Sequence, residues 1–168
     1  MSTGTHNCQT PENTFSALYG NDPKQNLILK KISHSDVIKE YHLHCPVVAR
    51  AAQAGQFVIV RGDDRGERVP LTIADFDRET GVLVLMMQIV GLASHKLDEL
   101  EVGDRIRDVV GPLGHKSEIE NFGTVVCIGG GLGIAPVFPI QRELKHAGNK
   151  IISIIGARTK DLLILEDM

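Results

Sequence analysis

Gly129-Gly130-Gly131-Leu132-Gly133-Ile134-Ala135-Pro136 follows directly on the apolar run Thr124–Ile128. A glycine-rich turn between a strand and a helix is suited to hold a dinucleotide pyrophosphate. Glycines let the backbone approach the phosphates, and the helix N-terminus offers free N–H groups and a partial positive charge. The usual fingerprint is G-x-G-x-x-G, whereas here a triple glycine is followed by Gly133 and Ala135-Pro136. No acidic residue stands at the end of the next apolar run to grip a ribose 2′-hydroxyl; Gly156-Ala157-Arg158 is there instead. Arg158 is either a partner for a 2′-phosphate, which would favour NADP over NAD, or a solvated surface residue.

A second constellation lies upstream. Arg68-Val69-Pro70-Leu71-Thr72 falls on an expected strand, and Gly91-Leu92-Ala93-Ser94 on an expected turn-to-helix junction. An arginine pairs with phosphate through two N–H groups. A threonine hydroxyl can donate to a flavin ring nitrogen, and a glycine near a helix start can take a second phosphate. Taken singly, Arg68 also reads as a solvated edge residue, Thr72 as a β-former and Ser94 as a helix cap. Their order ahead of the dinucleotide turn is what favours chemistry.

The elements that must position these residues follow from periodicity. Residues 1–25 are rich in Thr, Asn, Pro, Gly and Gln and read as a flexible tail. Short β-type runs follow at Leu27–Ile32, Ile38–His44, Gln56–Arg61, Arg68–Ile73, Val82–Gln88 and Asp104–Val110, with Ser94–Leu100 as one or two helical turns. Close spacing of such strands predicts a small antiparallel six-stranded barrel over residues 26–115. After Gly111-Pro112-Leu113-Gly114 the rhythm changes to strand (Val125–Ile128), helix (Val137–His146) and strand (Lys150–Ile155). This is part of a doubly wound sheet over residues 120–168. The expected boundary falls near residues 111–122, and the fold class is β plus α/β.

The chain has 168 residues and a net charge of −3, which gives no reason to invoke nucleic acid or an anionic membrane. No apolar run approaches the roughly 20 residues that span a bilayer. The N-terminus shows no signal-peptide pattern, so a cytoplasmic location is expected. The three cysteines, Cys8, Cys45 and Cys127, are far apart and offer no metal-binding spacing. Cys45 and Cys127 read as small buried hydrophobes. His42 and His44 share a strand face, but no third metal ligand is near.

The segments Arg68–Asp75 (RVPLTIAD), Gly111–Gly114 (GPLG), Gly129–Pro136 (GGGLGIAP) and Gly156–Leu163 (GARTKDLL) occur in this order. Together they resemble the ferredoxin–NADP reductase superfamily over about residues 27–168. More narrowly, they resemble the small flavoprotein subunits of NADH-dependent ferredoxin:NADP oxidoreductases (also called sulfide dehydrogenases), with dihydroorotate dehydrogenase electron-transfer subunits as cousins. The resemblance implies an FAD-binding barrel followed by an incomplete NAD(P)-binding domain. It implies Arg68, Pro70, Leu71 and Thr72 at the flavin, with Thr72 near the reactive nitrogen as the catalytic residue. It implies Gly91 and Ser94 at the FAD pyrophosphate or adenosine. Gly130, Gly131, Gly133 and Ala135 would cradle NAD(P)H, and Arg158 would stand by its adenosine ribose.

The resemblance further implies a [2Fe-2S] cluster in intact family members, a larger flavin and iron–sulfur partner subunit, and ferredoxin as a possible partner. The cluster cysteines are expected beyond Met168, so the chain reads as C-terminally truncated and no metal ligand is assigned within it. Two departures are visible. Arg68 lies four residues before Thr72, where the wider superfamily has three, so a local bulge is expected to restore the facing. Leu71 replaces the aromatic residue that commonly stacks on the flavin.

Flavin-dependent electron transfer between NAD(P)H and an iron–sulfur partner is the leading expectation. The alternatives are a catalytically incomplete flavin-binding or assembly module, and a nucleotide-binding regulator that uses the glycine turn alone.

Overall fold

The computed structural model describes residues 22–165. The expected tail over residues 1–25 lies almost wholly outside the described residues, and Cys8 with it. Its last residues form a turn in which Gln25 N–H donates to the Asp22 carbonyl (3.0 Å). His44 Nε2 donates to the Asp22 carboxylate at 2.8 Å.

Six antiparallel strands build the first sheet: β1 (Leu27–Ser33), β2 (Ile38–His44), β3 (Phe57–Arg61), β4 (Val69–Asp77), β5 (Val82–Gln88) and β6 (Asp108–Leu113). Their order is β1-β2-β5-β4-β3-β6. Alternation along the strands sorts the faces. Tyr41 and Leu43 of β2, Val58 and Val60 of β3, and Leu83 and Leu85 of β5 fill the concave core.

The expected barrel is not closed. The two ends of the sheet meet where the segment before β6 bonds to β1 and the residue before it: Gly103 N–H donates to Ile28 O (2.9 Å), Ile28 N–H to Asp104 O (2.9 Å) and Ile106 N–H to Asn26 O (3.1 Å). This leaves one isolated bridge, Leu27 to Arg105, between the ends of the sheet. For the same reason β6 starts at Asp108 rather than at the expected Asp104. A six-residue helix absent from the sequence expectation, α1 (Pro46–Ala51), buries Val48 and Ala49 against the core. Pro46 opens it, where a missing N–H leaves no bond unmade. A second helix, α2 (Leu92–Asp98), begins two residues before the expected turn.

The second sheet pairs β7 (Thr124–Gly130) with β8 (Lys150–Gly156) in parallel, joined through α3 (Ile134–His146). The helix ends as its sequence requires. Gly148 N–H donates to Lys145 O (3.1 Å) and Asn149 N–H to Leu144 O (3.2 Å), a paired stop that satisfies the last carbonyls. On the β7–β8 pair, Val126, Ile128, Ile152 and Ile154 form an exposed apolar face. No helix among the described residues is long and apolar enough to cross a membrane.

Cys45 and Cys127 are buried, in line with the sequence reading. Burial pushes the Cys45 thiol up to about 11 and the Cys127 thiol up as well. On the outer face of β2, the two oxygens of buried Glu40 accept from His42 Nε2 (2.5 Å) and His34 Nε2 (2.6 Å). The hydrogen bond from His42 is the main force holding the Glu40 carboxyl below its ordinary range, against the opposing effect of burial. His42 and His44 thus each face a carboxylate. Among the described residues no group of three His, Cys, Asp or Glu side chains is placed to hold a metal.

A carboxyl whose pKa is depressed on folding stabilises above its unfolded value, and that stability is lost as pH falls through the folded value. Glu40→Gln is therefore expected to cost about 1–2 kcal/mol at pH 7, where charge-assisted bonds are lost. The gap between wild type and variant should narrow below about pH 4 as Glu40 itself protonates. Urea midpoints measured from pH 7 to pH 3 check this; a gap that stays constant with pH would contradict it.

Candidate functional site

Two open clefts meet on one side of the molecule. The first, of about 520 Å³, has β4 as its floor, through Val69, Pro70, Leu71 and Thr72. The end of β5 and the loop Val90–Ser94 form one wall. The facing wall is the glycine turn and first turn of α3, through Leu132, Gly133, Ala135 and Pro136. The second cleft, of about 780 Å³, lies between Gly129–Leu132 and the end of β8 at Ile154–Arg158. Gln88 and Leu132 line both clefts, so the two share a wall.

The structure thus brings most of the sequence-predicted residues to two connected surfaces. Pro70, Leu71, Thr72, Gly91, Ser94, Gly133 and Ala135 line the first cleft. Gly130, Gly131 and Arg158 line the second. Leu71 also belongs to the core beneath, so it meets the cleft from below. Arg68 is the exception: it is exposed, precedes β4 and is not among the residues lining either cleft. Its neighbour Glu67 is on the wall instead. The bulge expected between Arg68 and Thr72 does not appear in the pairing of Val69–Thr72 with β3, which runs in register. A register shift occurs further on, between Ile73 and Asp75.

The glycine turn divides by role. A side chain at Gly129 would approach the Ile134 Cα to 2.8 Å, so this glycine lets β7 and α3 pack closely. Gly131 and Gly133 face open space, as does Gly91 across the first cleft. Gly131 also has φ of +51°, a left-handed conformation that favours glycine. Bare backbone faces bordering an open cleft are the surface a phosphate chain or a flat ring system can approach. The residues present fit a dinucleotide in this respect. No lysine or arginine is among those lining the first cleft, so backbone N–H groups are its means of meeting an anion.

The loop beside α2 is held by neighbours. Ser94 Oγ accepts from the N–H of Val90 (3.0 Å) and of Gly91 (3.0 Å), and donates to Gly91 O (2.8 Å). Its hydroxyl is committed to the shape of the loop. At the other end of α2, the partly buried Lys31 ammonium donates to Asp98 O (2.5 Å), Leu100 O (3.1 Å) and the Glu101 carboxylate (2.8 Å). A cation there complements the helix C-terminus. Burial disfavours the Lys31 charge, but the hydrogen bonds it donates to the Glu101 and Asp98 carboxylates outweigh this and raise the pKa. The wall residues that the sequence did not single out, Glu67, Met86, Met87 and Gln88, carry no motif of their own. Only their adjacency to Gly91 and to the glycine turn could have found them.

No protein-family model matches the chain. It is 47% identical over 142 residues to the dihydroorotate dehydrogenase B (NAD(+)), electron transfer subunit homolog of Thermotoga maritima, covering 84% of this chain and 50% of that protein. It is 29% identical over 133 residues to the dihydroorotate dehydrogenase B (NAD(+)), electron transfer subunit of Geobacillus thermodenitrificans, covering 76% and 51%. Among solved structures it superposes on an NADH-dependent reduced ferredoxin-NADP oxidoreductase with a TM-score of 0.83 and 46% identity, over 88% of this chain and 53% of that one. Phthalate dioxygenase reductase shares the fold, with a TM-score of 0.65 at 20% identity over 79% and 43%. The chain spans about half the length of the relatives it matches. By sequence its homologues are dihydroorotate dehydrogenase B electron-transfer subunits, and by fold its neighbours are ferredoxin-reductase-like FAD- and NAD-binding proteins.

Proposed function

We propose that the chain is the FAD- and NAD(P)H-binding part of an electron-transfer subunit. Electrons would pass between NAD(P)H and an iron–sulfur partner carried by a larger flavin-containing subunit. Residues 26–115 would bind FAD and residues 120–168 would bind the nicotinamide nucleotide. The observation that carries this reading is the shared wall of the two clefts at Gln88 and Leu132. A ring held on β4 and a nucleotide held at the glycine turn would meet there without crossing solvent.

When bound, FAD supplies the two-electron and one-electron chemistry that side chains lack. The chain's own residues bind and orient. Pro70 and Leu71 would form the floor beneath the ring. The Thr72 hydroxyl would donate to a ring nitrogen, and an interaction made where charge develops speeds the step itself. Gly91, with its loop fixed by Ser94, would let the pyrophosphate approach. Gly130, Gly131, Gly133 and Ala135 would do the same for the nicotinamide nucleotide, with Arg158 beside its ribose. Arg68 would have to swing from its exposed position to reach a phosphate. Cys45 and Cys127 lie in different parts of the fold and are buried, so the described residues do not fit a [2Fe-2S] cluster.

The second reading, a flavin-binding or assembly module without turnover, has one observation in its favour. The exposed Val126, Ile128, Ile152 and Ile154 form an apolar face of the kind proteins use for association.

Titration of the full chain with FAD, followed by flavin fluorescence and then by reduction with NADH or NADPH, separates these readings. Thr72→Ala is expected to leave FAD affinity within about threefold and to slow flavin reduction by about tenfold or more. Arg68→Ala is expected to weaken FAD by about tenfold, the worth of one charged hydrogen bond; unchanged affinity would remove Arg68 from the site. Gly131→Ala, strained at its positive φ, is expected to weaken nucleotide binding by about tenfold while sparing FAD. Wild-type chain that binds FAD tightly but is reduced by neither nucleotide would favour the second reading.

A further inference from the structure

α3 is the element that carries the glycine turn, and it lies along β4. Its grip on that strand is specific. The Arg142 guanidinium pairs with the Asp75 carboxylate and stands 5.0 Å from the centre of the Phe76 ring. The Arg78 guanidinium stands 4.6 Å from the same ring and donates to Ala52 O at 2.8 Å. Asp75 is itself held in place, because its carboxylate also accepts the Phe76 N–H at 2.8 Å. Both partners of the ion pair are partly shielded from water, with side chains 26% and 32% exposed.

The register shift between Ile73 and Asp75 makes this contact possible. Before it, Leu71 and Ile73 point into the core; after it, Phe76 does. The extra residue leaves Ala74 and Asp75 both free of the core. Ala74 joins an apolar cluster with Ile134 and Ala135, at the start of α3. Asp75 meets Arg142, eight residues further along the helix. The helix is therefore held near both ends, and its tilt over β4 is fixed.

The arms on either side of the ion pair are short. Thr72 lies three residues before Asp75, about 10 Å along a strand. Ile134 lies eight residues before Arg142, about 12 Å along a helix. A tilt of α3 about the ion pair would shift the glycine turn relative to Thr72 by a comparable lever. Neither Asp75 nor Arg142 is among the residues lining the two clefts, so neither is placed to touch FAD or nucleotide.

We propose that the Asp75–Arg142 ion pair, seated on Phe76, is a positioning clamp that sets where the nucleotide-binding turn stands over the flavin-binding strand. This rests on the functional reading above. Because the nucleotide travels with α3, the clamp governs the approach of the two reacting groups and not the binding of either. Misplacement on the scale of an ångström is enough to slow a transfer step strongly.

The test uses the full, FAD-loaded chain and the variants Arg142→Met, Asp75→Asn and the double variant. FAD affinity and the half-saturating NADH or NADPH concentration are expected to stay within about twofold, while the limiting rate of flavin reduction falls about tenfold. The double variant should be no slower than the slower single variant, because both changes remove one interaction. Amide hydrogen exchange should quicken in α3 and stay unchanged in β1–β3. An unchanged limiting rate in both single variants would overturn the clamp. If neither nucleotide reduces the wild-type flavin, the functional reading falls instead. Exchange then decides the clamp alone: faster α3 exchange in the variants supports it, and unchanged exchange overturns it.

Discussion

One strand, β4, has to serve three surfaces, and the register shift in its middle is the constraint on which the rest depends. Leu71, Ile73 and Phe76 are committed to the core. Pro70 and Thr72 floor the first cleft. Ala74 and Asp75 receive α3. On a regular strand Asp75 would fall on the core face with Leu71 and Ile73. The extra residue between Ile73 and Asp75 turns it outward beside Ala74, on the face that Pro70 and Thr72 share, at the cost of one unpaired position in the ladder with β5. The second sheet is thereby joined to the strand that lines the cleft.

The cleft is shaped more by backbone than by charge. Its open glycines lie on opposite walls, and side chains behind the walls hold them there. Ser94 ties the Val90–Gly91 corner, and Lys31 closes the far end of α2. Gly129 packs α3 against β7 and so brings the open Gly131 and Gly133 forward. These supports fix the backbone around the cleft. They hold a surface rigid enough for a flat cofactor, and rigidity of the supporting shell decides how well such a site performs.

Much of this was legible in the sequence where local rules suffice. Alternating apolar residues located β1 through β5, and the glycine turn, Pro136 and Gly148 bracketed α3. The six-residue α1 was missed because one and a half turns give too little periodicity, although Pro46 was a start signal. The displaced start of β6 follows from the turn of Gly103–Ile106 towards β1 rather than β3. Alternation shows that Gly103–Ile106 is extended but not that its partner is β1. The site was legible as motifs but not as a surface. Met86 and Gln88 reach the cleft walls by folding alone, and Arg68 sits outside because a motif fixes sequence order rather than facing. The pairing of Asp75 with Arg142 spans 67 residues and carries no local signal.

We propose that the two adjoining clefts hold a flavin against a nicotinamide nucleotide. The visible absorption spectrum of the purified full chain, before and after NADH or NADPH under anaerobic conditions, tests it most directly. Flavin bands that bleach on addition of either nucleotide are the predicted result. A colourless chain that takes up no added FAD would contradict the account.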